Sequence, residues 1–169
     1  MEIPVLIRFV TAADFEEILA IEQANFPPAE AASPKALKER IERISDSFLV
    51  AEIEEKLVGY IVGPAVFSRH LTDNSFETVV SNPDQQGYIA VQSLSIHPDF
   101  QGQGLGTLLL AALKETVRAQ ERQGISLTCP DYLISFYEMN GFQDEGLSES
   151  VQGGETWYDM VWENPYYEE

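Results

Sequence analysis

Between Val91 and Thr107 the chain reads VQSLSIHPDFQGQGLGT, an apolar run closed by Pro98 and followed by glycines at 102, 104 and 106. Just beyond, Leu108, Leu109, Ala112, Leu113 and Val117 form one stripe at helical spacing. A strand that turns through glycine straight into a helix fixes a β-loop-α unit, and such a unit needs other layers against which to bury its apolar faces. The first N–H groups of the helix have no partner inside it, so they point outward with the positive end of the helix dipole. Such an arrangement receives anions, and glycine lets a bulky anion reach the backbone. The spacing is not Gly-x-Gly-x-x-Gly, because the third glycine follows the second after one residue, and no Gly-Lys-Ser or Gly-Lys-Thr follows. Taken alone, the loop reads equally as a plain turn between strand and helix.

The flanking segments supply the other layers. Residues 3–10 read as an opening strand with Pro4 near its start. Thr11 and Asp14 are candidate caps for a helix carrying Phe15, Ile18, Leu19 and Ile21 on one face and stopped by Pro27 and Pro28. Ser33 and Pro34 open a second helix through Leu37, Ile41 and Ile44, with Lys38 and Glu42 at ion-pair spacing. The period then changes to that of strands, over 48–53 and 57–67, joined by a turn over 54–56. Residues 68–86 are polar, long and aperiodic, as expected of a loop with a task such as substrate contact. There follow a strand over 88–97, a helix over 105–122 closed by Gly124, and a short buried strand over 125–128. A short helix runs from Asp131 through Tyr137 to Asn140-Gly141, and strands over 142–150 and 156–162 flank a Gly153-Gly154 turn. The order is that of one mixed α/β layer structure, a single domain over 1–169 with its core at about 5–162 and an acidic tail over 163–169.

Charge narrows the partners. The chain holds 28 Asp and Glu against 10 Lys and Arg, a formal charge of −18, which excludes the dense basic surface that nucleic acid or an anionic membrane requires. Its 44% hydrophobic and 11% aromatic content supplies a packed core, so the acidity does not mean disorder. Residues 101–130 hold 2 acids and 3 bases, a net of +1, whereas residues 131–169 hold 10 acids and no base. The window spared the acidity is the glycine loop and its helix. No apolar run of about 20 residues is present, and the N-terminus lacks the basic flank and apolar stretch of a signal peptide. With one cysteine, Cys129, a reduced cytoplasmic setting is expected. One cysteine and two histidines, His70 and His97, give no metal-ligand cluster.

The surroundings of the glycine loop are more specific than the loop. Gln101-x-x-Gly104-x-Gly106 follows Ile96-His97-Pro98-x-Phe100, and Phe136-Tyr137-x-x-x-Gly141-Phe142 comes later in the chain. This pattern and the element order resemble the GNAT superfamily of acetyl-CoA-dependent N-acetyltransferases, over roughly residues 5–162. Leu94-Ser95-Ile96-His97 and Cys129-Pro130-Asp131-Tyr132-Leu133-Ile134-Ser135-Phe136-Tyr137 resemble in addition its arylalkylamine (serotonin) N-acetyltransferase branch. The resemblance implies a GNAT fold: a mixed central sheet with a splayed strand at the acetyl-CoA site and helices on both faces. It also implies that the backbone amides of Gly102, Gln103, Gly104, Leu105, Gly106 and Thr107 hold the CoA pyrophosphate. Leu94, Ser95 and Ile96 are implied to bond the pantetheine like an added strand, and Tyr137 to protonate the departing thiolate. Acetyl-CoA and a primary amine are the implied partners, and strands near the C-terminus are available for pairing in a homodimer.

One departure from that branch matters. Its proton relay uses two histidines on the strand before the glycine loop, and those positions hold Ala90 and Gln92, neither of which is a base. Alternation sets Tyr88, Ala90, Gln92 and Leu94 on one face, where Gln92 is a candidate to bind the substrate or orient water. Glu22 and Glu77 fall in segments that border the acceptor site in the related fold and are candidate bases, although each also reads as a solvated carboxylate. His97 reads as a structural side chain facing away from Gln92, and Cys129 as a buried inert thiol. Tyr137 has a second reading as a core aromatic. Lys114, Arg118 and Arg122 fall at i, i+4 and i+8 and read as a solvated cationic face or, less favoured, as an attractor for CoA phosphates. Two other functions fit the same pattern. A protein N-terminal acetyltransferase of the ribosomal-protein type is disfavoured by Pro130 and Leu133, which stand where those enzymes show Asn and Ala. A non-catalytic acyl-CoA-binding module is suggested by the missing histidine pair.

Overall fold

The computed structural model describes residues 4–71, 79–150 and 155–168. The elements are β1 (Leu6–Phe9), α1 (Phe15–Asn25), α2 (Pro34–Arg43), β2 (Phe48–Ile53), β3 (Lys56–Val62), β4 (Ala65–Val66), β5 (Tyr88–Ala90) and β6 (Ser93–Ile96). They continue through α3 (Leu105–Ala119), β7 (Gly124–Cys129), α4 (Ile134–Met139), β8 (Gln143–Leu147) and β9 (Tyr158–Glu163). The strands form two sheets, in the orders β1-β2-β3-β6 and β4-β5-β7-β9-β8. Every described pairing is antiparallel except β5 with β7, which are joined through α3 as a crossover demands.

Alternation along the strands explains how both faces are covered. Leu49 and Ala51 of β2 and Ile61 of β3 enter a core with Leu109, Leu113 and Val117 of α3, and Val58 joins them because β3 bulges opposite Ala51 and Glu52. Phe48, Val50, Tyr60 and Val62 turn to the other face, where Ile18 and Ile21 of α1 and Leu37 and Ile41 of α2 close over them. Ser33 caps α2 by accepting from Ala36 N–H at 3.1 Å, with Pro34 in the first turn. Lys38 lies over the Phe15 ring at 4.8 Å, in place of the expected pair with Glu42. No helix among the described residues is long and apolar enough to cross a membrane.

Two expected strands are broken, and the breaks lie side by side. Gly63-Pro64 separates β3 from β4, and Val91-Gln92 separates β5 from β6. Ala90 N–H donates to Pro64 O at 2.8 Å, Val91 N–H to Ser126 O at 2.9 Å, and Gln92 N–H to Val62 O at 2.8 Å. Within three residues the backbone bonds β7 and then β3, so the sheet forks. Proline brings no N–H to a ladder, and the glycine beside it allows a very close approach: a Cβ on Gly63 would stand 2.0 Å from Ala90 O.

Helix α3 stops at Ala119, short of the expected 122, because Glu121 takes a positive φ of 55° and Arg122 turns inward. Its fully buried guanidinium donates to Gln86 O at 2.8 Å, Pro83 O at 2.7 Å and Gln120 Oε1 at 2.7 Å. Arg122 therefore leaves the expected cationic stripe, while Lys114 and Arg118 stay half-buried at the surface. Lys114 lies against the Phe142 and Trp162 rings, and Arg118 against Trp162 and Tyr166. The Gly153-Gly154 turn lies outside the described residues. Packing runs past residue 162, since buried Asn164 donates to Arg122 O at 2.9 Å. Gly63→Ala is expected to destabilise the fold by about 3 kcal/mol, measured by urea unfolding; an unchanged midpoint would show that the two breaks do not constrain each other.

Candidate functional site

The fork leaves β6 at the edge of its sheet, with β3 on one side and no strand of the described residues on the other. His97 N–H donates to Val58 O at 2.8 Å, so alternation sends the N–H and C=O groups of Leu94 and Ile96 toward the open edge. That edge, the glycine loop and the start of α3 form one wall of a cleft of about 440 Å³. Leu133, Phe136 and Tyr137 line it from the opposite side. Of the residues expected to hold a cofactor, Leu94, Ser95, Ile96, Gly102, Gly104, Leu105, Gly106 and Thr107 all line the cleft, whereas exposed Gln103 is not among its lining residues.

The three glycines do different jobs. Gly102 and Gly104 have φ of +77° and +82°, left-handed values that favour glycine, and a Cβ on either would meet nothing within 4 Å. Gly104 is the N-cap of α3, so the amides of Leu105, Gly106 and Thr107 begin the helix without intrahelical acceptors. Gly106 is instead a packing glycine, whose Cβ would stand 3.3 Å from Phe136 Cζ and force the ring to give way.

A set of polar side chains that the sequence pattern did not single out holds β6 in place. Asn25, at the end of α1, donates from Nδ2 to Ser95 Oγ at 2.6 Å and to Ile96 O at 2.8 Å. Gln101 adds a bond to Ile96 O at 3.2 Å. Glu22 sits on the same helix, 4% exposed, with Oε2 accepting from Ala32 N–H at 2.8 Å and Oε1 accepting from the Tyr60 hydroxyl. Burial, reinforced by Glu22, drives the Tyr60 phenol far above its usual range, and desolvation lowers that of nearby Arg40. Glu22 thus lies in a buried network behind β6 and does not line the cleft.

Tyr137 is buried among Phe136 and Phe142, with edge-on ring contacts at centroid distances of 5.0 and 5.7 Å. Desolvation, followed by the proximity of Cys129, raises its phenol well above the usual range, so the group stays protonated. Cys129 is 1% exposed, and burial pushes its thiol up to about 11. His97 caps a short turn by accepting from Asp99 N–H at 3.0 Å and stacks edge-on with Phe100, a structural role. Gln92 falls at the break between β5 and β6 and is not among the cleft's lining residues. Glu77 lies outside the described residues.

A family model described as an acetyltransferase (GNAT) domain matches residues 13–164. The chain belongs to that family. Among curated proteins it is similar to an uncharacterized N-acetyltransferase, ycf52, of Gracilaria tenuistipitata var. liui, at 31% identity over 101 residues, which is 59% of this chain and 48% of that protein. The ycf52 protein of Pyropia yezoensis is 32% identical over 91 residues, 54% of this chain and 42% of that protein. The chain thus spans about half the length of the curated relatives it matches. The fold is similar to that of the loading GNATL domain of CurA from Lyngbya majuscula, with a TM-score of 0.79, 15% identity and coverage of 95% and 98% of the two chains. It is also similar to yncA of Salmonella typhimurium, solved with its cofactor acetyl-CoA, at a TM-score of 0.69, 20% identity and coverage of 98% and 96%. The cleft of this GNAT chain is expected to leave Cys129 unreactive: a disulfide reagent at mildly alkaline pH should label it only after denaturation. Rapid labelling of the native protein would place a reactive thiolate in the site.

Proposed function

We propose that the chain transfers an acetyl group from acetyl-CoA to a primary amine, by direct attack within a ternary complex. The observation that supports this most is the convergence on one cleft of an open strand edge, a left-handed glycine loop opening a helix, and a buried protonated phenol. The β6 edge offers the pantetheine amides the pairing of an added strand through Leu94 and the Ile96 N–H, since Ile96 O already accepts from Asn25 and Gln101. The loop and first-turn amides over 102–107 hold the pyrophosphate, in the stretch of chain spared net negative charge.

The amine nitrogen forms a bond to the thioester carbonyl carbon, the C–S bond breaks, and the sulfur takes a proton from the Tyr137 hydroxyl. Because burial holds this phenol protonated, the leaving thiolate meets a donor across the working pH range. Cys129, buried and held as a thiol, supports a direct transfer over an acetyl-cysteine intermediate. The Leu94–His97 and Cys129–Tyr137 motifs support a small arylalkylamine-like acceptor, while Ala90 and Gln92 remove the proton relay of that branch, so the deprotonating group is taken from elsewhere.

Thiol release from acetyl-CoA in the presence of arylalkylamines, polyamines and peptide N-termini is the direct test, with the small amines expected to be the best substrates. Tyr137→Phe is expected to lower kcat by about 10²-fold or more while leaving acetyl-CoA affinity near the wild-type value. Gly104→Glu, which puts a carboxylate at the helix N-cap, is expected to abolish acetyl-CoA binding in calorimetry. Full turnover by Tyr137→Phe would remove the proton-donor role, and intact binding by Gly104→Glu would remove the assigned cofactor site.

A further inference from the structure

A second polar cluster lies on the face of the β4-β5-β7-β9-β8 sheet turned away from α3. Ile125, Leu127 and Cys129 of β7 and Met160 and Trp162 of β9 all enter the α3 core, so alternation turns Thr128 and Asp159, which are cross-strand partners, to the other face. There His70, from the loop after β4, stands between two carboxylates. Its Nε2 is 2.7 Å from Glu145 Oε1, and its Nδ1 is 3.7 Å from Asp159 Oδ2. Arg69 grips the same carboxylate, donating from Nε to Oε1 at 2.8 Å, and is itself tied to the Tyr88 hydroxyl at 3.0 Å and to Glu163. Hydrogen bonds from Arg69, then from His70, hold the Glu145 carboxyl down at about 2.

The two contacts of His70 are unlike each other. A ring that donates from Nε2 to an ionised Glu145 presents a bare lone pair at Nδ1 when neutral. At 3.7 Å from Asp159 Oδ2 that lone pair makes no direct hydrogen bond. The side chain of Asp159 is only 6% exposed, yet its Oδ1 has no hydrogen-bond partner. Burial raises its acid above the usual carboxylate range; Glu145 and Glu149 push the same way, while His70 and Ser148 oppose. A fold gains nothing from an orphaned carboxylate oxygen in such a place. A donor that bonds the Asp159 carboxylate and Nδ1 together suits this pair, and an ammonium group carries three N–H bonds. His70, whose side chain is 43% exposed, leaves the cluster open to an incoming molecule. The three side chains do not form a metal-ligand set.

Placement ties this cluster to the cleft. Val91 bonds Ser126, Gln92 then turns to β3, and β7 runs on without β6 beside it through Thr128 to Cys129. On one face of that end of β7 Tyr137 packs in the same core as Cys129, and on the other face Asp159 lies across from Thr128. The end of β7 thus carries the core around the phenol on one face and the carboxylate on the other.

We propose that Asp159 and His70 form the amine end of the acceptor site: Asp159 binds the ammonium of a cationic primary amine, and His70 removes the proton that must leave before attack. This rests on the acetyl-transfer reading above. The ammonium gives one proton to His70 Nδ1, which passes it to water. The freed lone pair forms the C–N bond, the C–S bond breaks, and the sulfur takes the Tyr137 proton. The second proton lost by nitrogen restores Tyr137, so one proton is released for each acetyl group transferred. Glu145 and Arg69 are positioning residues that fix the ring with Nε2 donating.

The test compares wild type, Asp159→Asn and His70→Gln, each measured for acetyl-CoA affinity, thermal midpoint and steady-state kinetics. The acceptors are phenethylamine and putrescine, which are cationic at the assay pH, and 2,2,2-trifluoroethylamine, which is neutral. Asp159→Asn is expected to raise KM for the cationic amines about 10-fold or more, with acetyl-CoA affinity unchanged and a thermal midpoint equal or higher. His70→Gln is expected to lower kcat about 10²-fold for the cationic amines and to leave the neutral amine nearly as fast as in wild type. Loss of thermal midpoint with unchanged kinetics would make the cluster an ion pair serving the fold, and equal losses with charged and neutral amines would remove the proton-accepting role. Either result overturns the proposal. If wild type acetylates no amine at all, the acetyl-transfer reading falls with it; if wild type is active and Asp159→Asn keeps its KM, only this proposal falls.

Discussion

The close approach of Gly63 to Ala90 is the constraint from which the rest of the molecule follows. Two neighbouring strands break at the same level, one at a glycine and proline and the other at Val91-Gln92, so the hydrogen-bond ladder passes from β7 to β3 without a continuous sheet. One consequence is an open edge on β6, whose backbone groups would be a liability in an ordinary sheet and are an asset beside a cleft. The second is that β7 runs on past Ser126 without β6 beside it, with the α3 core on one face and the polar cluster on the other. A flat, unbroken sheet of the same strands would offer neither.

Holding such an opening in place takes polar work behind it. Asn25 and Gln101 clip β6 at Ser95 and Ile96, and Glu22, Tyr60 and Arg40 fill the space beneath with mutually compensating groups. Arg122 does the same for the long loop, taking the Pro83 and Gln86 carbonyls on a fully buried guanidinium. Charge distribution follows the same plan. The glycine loop and α3 carry a net of +1, while Glu145 and Glu163 of the acidic C-terminal stretch are held by Arg69 from a distant part of the chain.

Element order and the strand, glycine loop and helix start that line the cleft were legible in the sequence because they depend on neighbours along the chain. Periodicity, proline stops and the glycine run fix which segments are strands, which are helices, and where a helix start is left bare. The strand breaks were not legible, since an apolar run from Tyr88 to His97 gives no sign of which neighbour each half will bond. The glycines looked alike, yet Gly106 serves packing against Phe136 and only Gly102 and Gly104 need left-handed backbone. Arg122 continued a helical stripe by spacing, but the helix ends before it and the side chain turns inside. Glu22 looked like a solvated or catalytic carboxylate and proves to be a buried bonding partner of Tyr60. The His70, Glu145 and Asp159 cluster joins residues separated by about half of the chain, and nothing in local spacing brings them together.

The account turns on the forked sheet offering its open edge and helix start to a CoA thioester. Amide hydrogen exchange with and without acetyl-CoA reads those groups directly. The expected result is slowed exchange at Leu94, Ile96 and the amides from Leu105 to Thr107, with the paired amides of β1 and β2 unchanged. Binding that leaves the β6 edge and the first turn of α3 unprotected would contradict it.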